Sequence, residues 1–175
     1  MIRTASRIAA VAAVAMCLAG AAAAQAPATA KAELKNAQGQ SIGTVTLTET
    51  PHGVLIHAEL TGLPPGTHAF HIHAAGACEA PAFTSAGGHF NPASKQHGIA
   101  NAMGMHAGDL PNINAPAGGK LTFDALAAGV TLGTGADGLF KTGGTALVVH
   151  AGADDYKTDP TGNAGARFAC GVITK

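Results

Sequence analysis

From Ala28 to His73 the chain runs in short stretches of period two. "TAKAELKN", "GTVTLTET", "GVLIHAEL" and "THAFHIH" are separated by "AQGQ", "PHG" and "TGLPPG". Alternation over that length, punctuated by Gly and Pro, is the rhythm of an antiparallel meander. In "VLIHAEL" the residues Val54, Ile56, Ala58 and Leu60 share one face and leave Leu55, His57 and Glu59 on the other, which makes His57 a solvated strand histidine. In "HAFHIH" the same alternation aims His71 and His73 to one side and Phe70 and Ile72 to the other. One face is a pair of imidazoles and the opposite face is core. His68 falls opposite His71 and reads as a structural hydrogen-bonding residue; His52, in "TPHG", reads as a turn residue.

After His73 the rhythm stops. Ala74 to about Leu110 is rich in Gly, Pro, Ala and Asn and has no sustained period. A connection that long without regular structure is either functional or disordered, and Cys78, His89, His97 and His106 within it argue for function. Strand signals resume at "LPNINA", "KLTFDA", "TALVVH" and "RFACGVI", with a second Gly/Asp-rich loop between His150 and Arg167. About eight strands and no amphipathic helix predict an all-β sandwich or barrel. There is no internal repeat.

The amino terminus has a different character. Arg3 and Arg7 precede an uncharged Ala-rich run and then "AAAAQ", the pattern of a secretory signal cleaved after Ala24. The apolar run is too short to span a bilayer. Acylation of Cys17 would want a small residue before it, and Met16 is not small, so the expectation is cleavage and not lipid anchoring. Removal of residues 1–24 leaves one domain, residues 25–175, with eight basic and ten acidic side chains and a formal charge of −2. That balance argues against nucleic acid or a membrane surface as partner. Export also leaves two cysteines, Cys78 and Cys170, which in an oxidising compartment are most simply a disulfide.

Six of the nine histidines fall in "HIH", "GGHFNP", "KQHG", "MHAGD" and "VVH", with Asp109 three residues after His106. A lone histidine is usually structural. Six with a neighbouring aspartate, in loops otherwise poor in polar side chains, point to metal. Three imidazoles and a carboxylate suit tetrahedral zinc, whereas an all-nitrogen tetragonal set suits Cu(II). Seven side chains fill one site of each kind only if one histidine is shared.

"HAFHIH", "GGHFNPASKQHG", "MHAGDLPN", "LVVHAGADD" and "TGNAGARFACGVI" together resemble the copper/zinc superoxide dismutase family in its exported bacterial form. The resemblance covers essentially the whole mature chain. It implies an eight-stranded Greek-key β-barrel with long metal-binding and active-site loops, one copper and one zinc ion per chain, superoxide as substrate, a periplasmic location and either a monomer or a homodimer. Residue by residue, it makes His71, His73, His89 and His150 the copper ligands. His89, His97, His106 and Asp109 become the zinc ligands, with His89 as bridge and catalytic residue. Asp154 becomes the carboxylate linking His71 to His97, and Arg167 the anion-docking residue beside copper.

Two departures carry expectations. Ala69 stands where the family has glycine, which a negative backbone torsion would tolerate. The loop "GADDYKTDPTGNAG" is short and carries a single lysine, Lys157, so guidance of superoxide is expected to differ from that of better-charged relatives and to rest on the copper charge and Arg167, with the share of Lys157 left open. A periplasmic copper carrier or buffer on the same scaffold is the rival reading; it would need the ligands but not Arg167 or Asp154.

Overall fold

The computed structural model describes residues 27–175. The export signal, its cleavage after Ala24 and Cys17 lie outside the described residues. Nine strands follow in order: β1 (Thr29–Asn36), β2 (Ser41–Thr50), β3 (Gly53–Leu60), β4 (Gly66–His68), β5 (Phe70–His73), β6 (Ile113–Ala115), β7 (Leu121–Ala127), β8 (Ala146–His150) and β9 (Arg167–Val172).

The alternation read in the sequence becomes alternating burial. Ala30, Ala32 and Leu34 of β1, Val45 and Leu47 of β2, and Val54, Ile56, Ala58 and Leu60 of β3 all face the core. Each large aliphatic side chain so buried contributes roughly 1.5–3 kcal/mol. His57, on the outer face of β3, is exposed and pairs with Asp124 at 2.7 Å, as its place in the pattern predicts.

"THAFHIH" is one run in the sequence and two strands in the fold. β4 pairs with β6, whereas β5 pairs with β8. The break is Ala69, whose N–H donates to Gly152 O at 2.8 Å and whose carbonyl accepts from His150 N at 2.9 Å. Ala69 is fully buried and is not among the residues with positive φ, so its methyl group fits without backbone strain.

Seven strands form a curled sheet in the order β5-β8-β9-β1-β2-β3-β7, and β4 with β6 makes a second ladder. Because β4 runs into β5 and β6 lies against β7, the ring closes as an eight-stranded barrel with β4 and β5 counted as one bent strand. β3 is followed by β4, and β7 by β8, without being their neighbours; these crossings make it a Greek key. Phe70 fills the interior and meets Phe123 edge-to-face at 5.4 Å.

The long connection between β5 and β6 has only a short 3₁₀ turn at Thr84–Ala86, yet it is pinned to the barrel. Ile72 N donates to Gly108 O, Phe90 N donates to Ile72 O and Gly108 N donates to Phe90 O. A side chain at Gly108 would put its Cβ 2.2 Å from Ile72 O, so only glycine permits this approach. The result places His89 across from His73 and Asp109 across from His71. A smaller cluster of Phe83, Ala86, Ala146, Val148 and Cys170 seats the first part of the loop, and the disulfide Cys78–Cys170 ties it to β9.

Candidate metal centre

β5 turns Phe70 and Ile72 into the core and His71 and His73 away from it, and His150 ends the neighbouring strand β8. With His89 delivered by the pinned loop, one ring nitrogen from each of His71, His73, His89 and His150 lies within 4.8 Å of the others, all on buried residues. The outward nitrogens find acceptors. His71 Nε2 donates to Asp154 Oδ2 at 2.8 Å and His73 Nδ1 to Gly87 O at 2.9 Å, while His150 Nδ1 faces Gly165 O at 3.4 Å. Those bonds put the protons outside and leave lone pairs inside. His73 Nε2 and His150 Nε2 face each other at 3.4 Å. Among the described residues, buried His71 Nδ1 and His89 Nε2 have no hydrogen-bond partner, an arrangement a protein rarely tolerates unless something else uses the lone pair. Burial pushes the pKa of His71 down to about 4, of His150 to about 3 and of His73 to about 2. The rings are therefore neutral at physiological pH, which is the form that binds metal.

The second quartet is His89, His97, His106 and Asp109, also within 4.8 Å of one another through one ligand atom each. Asp109 Oδ1 is 2.9 Å from His89 Nδ1, 3.0 Å from His97 Nδ1 and 3.3 Å from His106 Nδ1. His106 Nδ1 and His89 Nδ1 are 3.4 Å apart. A tetrahedral ion with bonds of about 2.0–2.1 Å has ligand–ligand edges of roughly 3.3 Å, so these four atoms fit one such ion with small adjustments. Asp109 Oδ2 accepts from the amides of Gly98 at 2.9 Å and His106 at 3.0 Å. Burial alone would raise the Asp109 pKa, but the His89 and Gly98 hydrogen bonds and the adjacent His97 and His106 hold it well below the usual carboxylate range. Burial likewise lowers His106.

His89 belongs to both quartets; its Nδ1 lies against Asp109, and its Nε2 is left without a hydrogen-bond partner among the described residues. A second connection runs outside them: Asp154 Oδ2 takes His71 Nε2 while Asp154 Oδ1 takes His97 Nε2 at 2.9 Å. Arg167 opens β9, and its guanidinium donates to Phe83 O and Gly87 O. Its charge is among the influences that depress His73 and His150, which puts it on their side of the barrel. Lys157 is exposed, and its side chain has no hydrogen-bond partner among the described residues. His68 takes the structural place expected of it, with Nδ1 against His150 O at 2.9 Å and Nε2 against Pro64 O at 2.8 Å.

Four residues that support this arrangement carry no role in the sequence reading. Asn112 holds the Asp154 main chain by a reciprocal pair of 2.8 Å bonds, and Tyr156 N donates to Asp154 Oδ1 at 2.6 Å. Tyr156 is the single tyrosine of the chain, the one signal in the sequence that sets it apart. Gly162, at φ +64°, leaves room that a Cβ would take from Asp154 Oδ1 at 1.9 Å and His97 Nε2 at 2.6 Å. Asp159 accepts from His97 N at 2.5 Å.

Residues 41–173 match the model of the family described as copper/zinc superoxide dismutase. The superoxide dismutase [Cu-Zn] 2 of Aquifex aeolicus is 54% identical over 143 residues, 81% of this chain and 84% of that protein. The chain belongs to the copper/zinc superoxide dismutase family. Among solved structures, a SOD-like protein from Bacillus subtilis superposes with a TM-score of 0.79 at 40% identity, over 81% of this chain and 96% of that one. The Cu/Zn superoxide dismutase from Brucella abortus does so with a TM-score of 0.69 at 31% identity, over 83% and 99%. Family membership makes the chain an oxidoreductase acting on superoxide and implies copper and zinc as metals. Both histidine quartets fit the donor chemistry those metals require. Among the described residues no helix is long and apolar enough to cross a membrane.

Proposed function

We propose that His71, His73, His89 and His150 hold one copper ion and that His89, His97, His106 and Asp109 hold one zinc ion. The chain then dismutates superoxide in the periplasm after residues 1–24 are removed. The observation that carries this reading is His89: its Nδ1 lies against Asp109, its Nε2 is buried without a hydrogen-bond partner among the described residues, and the residue also groups with His71, His73 and His150. A ring placed in that way is built to serve two cations.

When bound, copper supplies a Cu(II)/Cu(I) one-electron couple and zinc a fixed positive charge. Over a cycle two superoxide anions and two protons become dioxygen and hydrogen peroxide. The protein's part is binding, orientation and proton handling. Arg167, clamped by two carbonyls, presents a fixed cation to an incoming anion. His89 can take a proton on Nε2 and release it to the product without its ring moving, because Nδ1 remains anchored. Asp154 holds His71 and His97 in their tautomers.

A copper carrier would need the first quartet but neither a fixed Arg167 nor a carboxylate shared between the two sets. The discriminating experiment loads the mature protein with both metals and follows superoxide decay by pulse radiolysis. Turnover many times the protein concentration supports the enzyme; one equivalent consumed and then nothing supports the carrier.

A further inference from the structure

We propose that Asp159 is a positioning residue for the zinc set, acting on two of its members at once. The inference rests on the assignment of zinc to the quartet of His89, His97, His106 and Asp109. Outward ring nitrogens of His71, His73 and His97 meet an acceptor at 2.8, 2.9 and 2.9 Å. For His106 the outward nitrogen is Nε2, and the carboxylate it faces is Asp159, with Oδ1 at 3.8 Å. That same oxygen accepts the main-chain N–H of His97 at 2.5 Å.

A separation of 3.8 Å is too long for a direct hydrogen bond and acts through charge or a bridging water. Once Nδ1 of His106 is on a cation, its Nε2–H becomes more positive, and a nearby carboxylate favours that state. The His97 amide bond fixes the backbone of a second ligand from the same atom. Asp159 is also held in place from its own side. Its loop is joined to the loop carrying His97 by the bond from Ala100 N to Tyr156 O at 3.1 Å, and Gly98 packs so closely on Tyr156 O that a Cβ would stand 2.1 Å from it. Asp154 therefore serves the inner side of the zinc set and Asp159 its outer, half-exposed side. Neither Asp159 contact involves a residue of the copper set alone.

The test uses the full mature protein loaded with copper and zinc, comparing Asp159→Ala and Asp159→Asn with the parent. Zinc release to an excess of a chromogenic chelator is timed, copper content is measured, and cobalt(II) in place of zinc gives a ligand-field spectrum. The expectation for Asp159→Ala is release faster by about tenfold or more, with copper retained and the cobalt(II) bands shifted. Asp159→Asn keeps an acceptor for the His97 amide but loses the charge, so it should fall between the two in rate and spectrum. Unchanged release in Asp159→Ala would overturn the proposal. Asp159→Asn matching the parent in both readouts would overturn the part that concerns His106 and leave only a backbone cap. A parent protein that takes up no zinc would instead sink the metal assignment itself.

Discussion

Arg167 and His73 donate to the same carbonyl, that of Gly87. The proposed anion-docking residue and one proposed copper ligand are thus indexed to a single point on the disulfide-tied loop. With a formal charge of −2 for residues 25–175, the global field repels superoxide mildly, and attraction must come from local positive charge. Arg167→Ala should lower the rate of superoxide decay several-fold while copper is retained, and Arg167→Glu should lower it further. The residual rate of Arg167→Ala should respond less to ionic strength, since less local attraction remains to be screened. Lys157→Ala should do less, as that side chain is exposed and solvated. Pulse radiolysis across a salt series at fixed pH reads all three; unchanged rates in both arginine variants would make Arg167 purely structural.

Cys78 and Cys170 are 92 residues apart in sequence. In the chain-entropy account, closing a loop of that length stabilises by about 4–5 kcal/mol. Replacing both cysteines by serine should therefore lower the urea midpoint markedly, and it should also weaken activity by loosening Phe83 and Gly87 beneath Arg167. Urea unfolding at matched metal content is the check, and an unaltered midpoint would remove the bond from the stability account.

Gly162→Ala forces a methyl group into space that Asp154 and His97 occupy, on a backbone at positive φ. Something must move, and the neighbour in the way is the carboxylate that ties the two quartets together. Loss of both zinc and copper affinity is expected, with zinc affected more because His97 is displaced directly. Competitive metal titration decides it; parental affinities for both ions would show that the loop yields without disturbing Asp154.

Metal-free protein should be sensitive to mild acid. An unfolded histidine titrates near about 6.5, whereas burial holds His71 at about 4, His150 at about 3 and His73 at about 2 in the fold. Above pH 6.5 these rings are neutral in both states and contribute no difference. Below it the unfolded chain takes up protons that the fold refuses, so stability falls from pH 6.5 down through the folded values. By pH 5 the loss is on the order of 2 kcal/mol for each such ring. Asp109 and Asp154, both held below their ordinary values, add a further loss at still lower pH. Urea midpoints of the metal-free protein at pH 7.5 and pH 5 should differ clearly; equal midpoints would contradict the burial assigned to these imidazoles.

Period-two alternation is a local property, and for that reason Thr29–Asn36 and Gly53–Leu60 could be bounded from the sequence alone. The six histidines and Asp109 stood out for a chemical reason, since that many imidazoles in loops otherwise poor in polar side chains point to metal, and the fold gathers all seven into two quartets. The division of "THAFHIH" between two ladders was not legible, because it depends on whether β6 or β8 lies alongside. Nor were Asn112, Tyr156, Asp159 and Gly162, whose effects run through contacts between distant parts of the chain. His97 and Asp159, for example, are 62 residues apart. Nothing local distinguishes Gly162 from the other glycines of its loop.

His89 is proposed to join two different ions. Crystals of the protein loaded with copper and zinc, measured on either side of each metal's absorption edge, test it most directly. Two anomalous peaks flanking the His89 ring are expected: copper on the Nε2 side with His71, His73 and His150, and zinc on the Nδ1 side with His97, His106 and Asp109. A single peak, or both elements sharing one of the two positions, would contradict it.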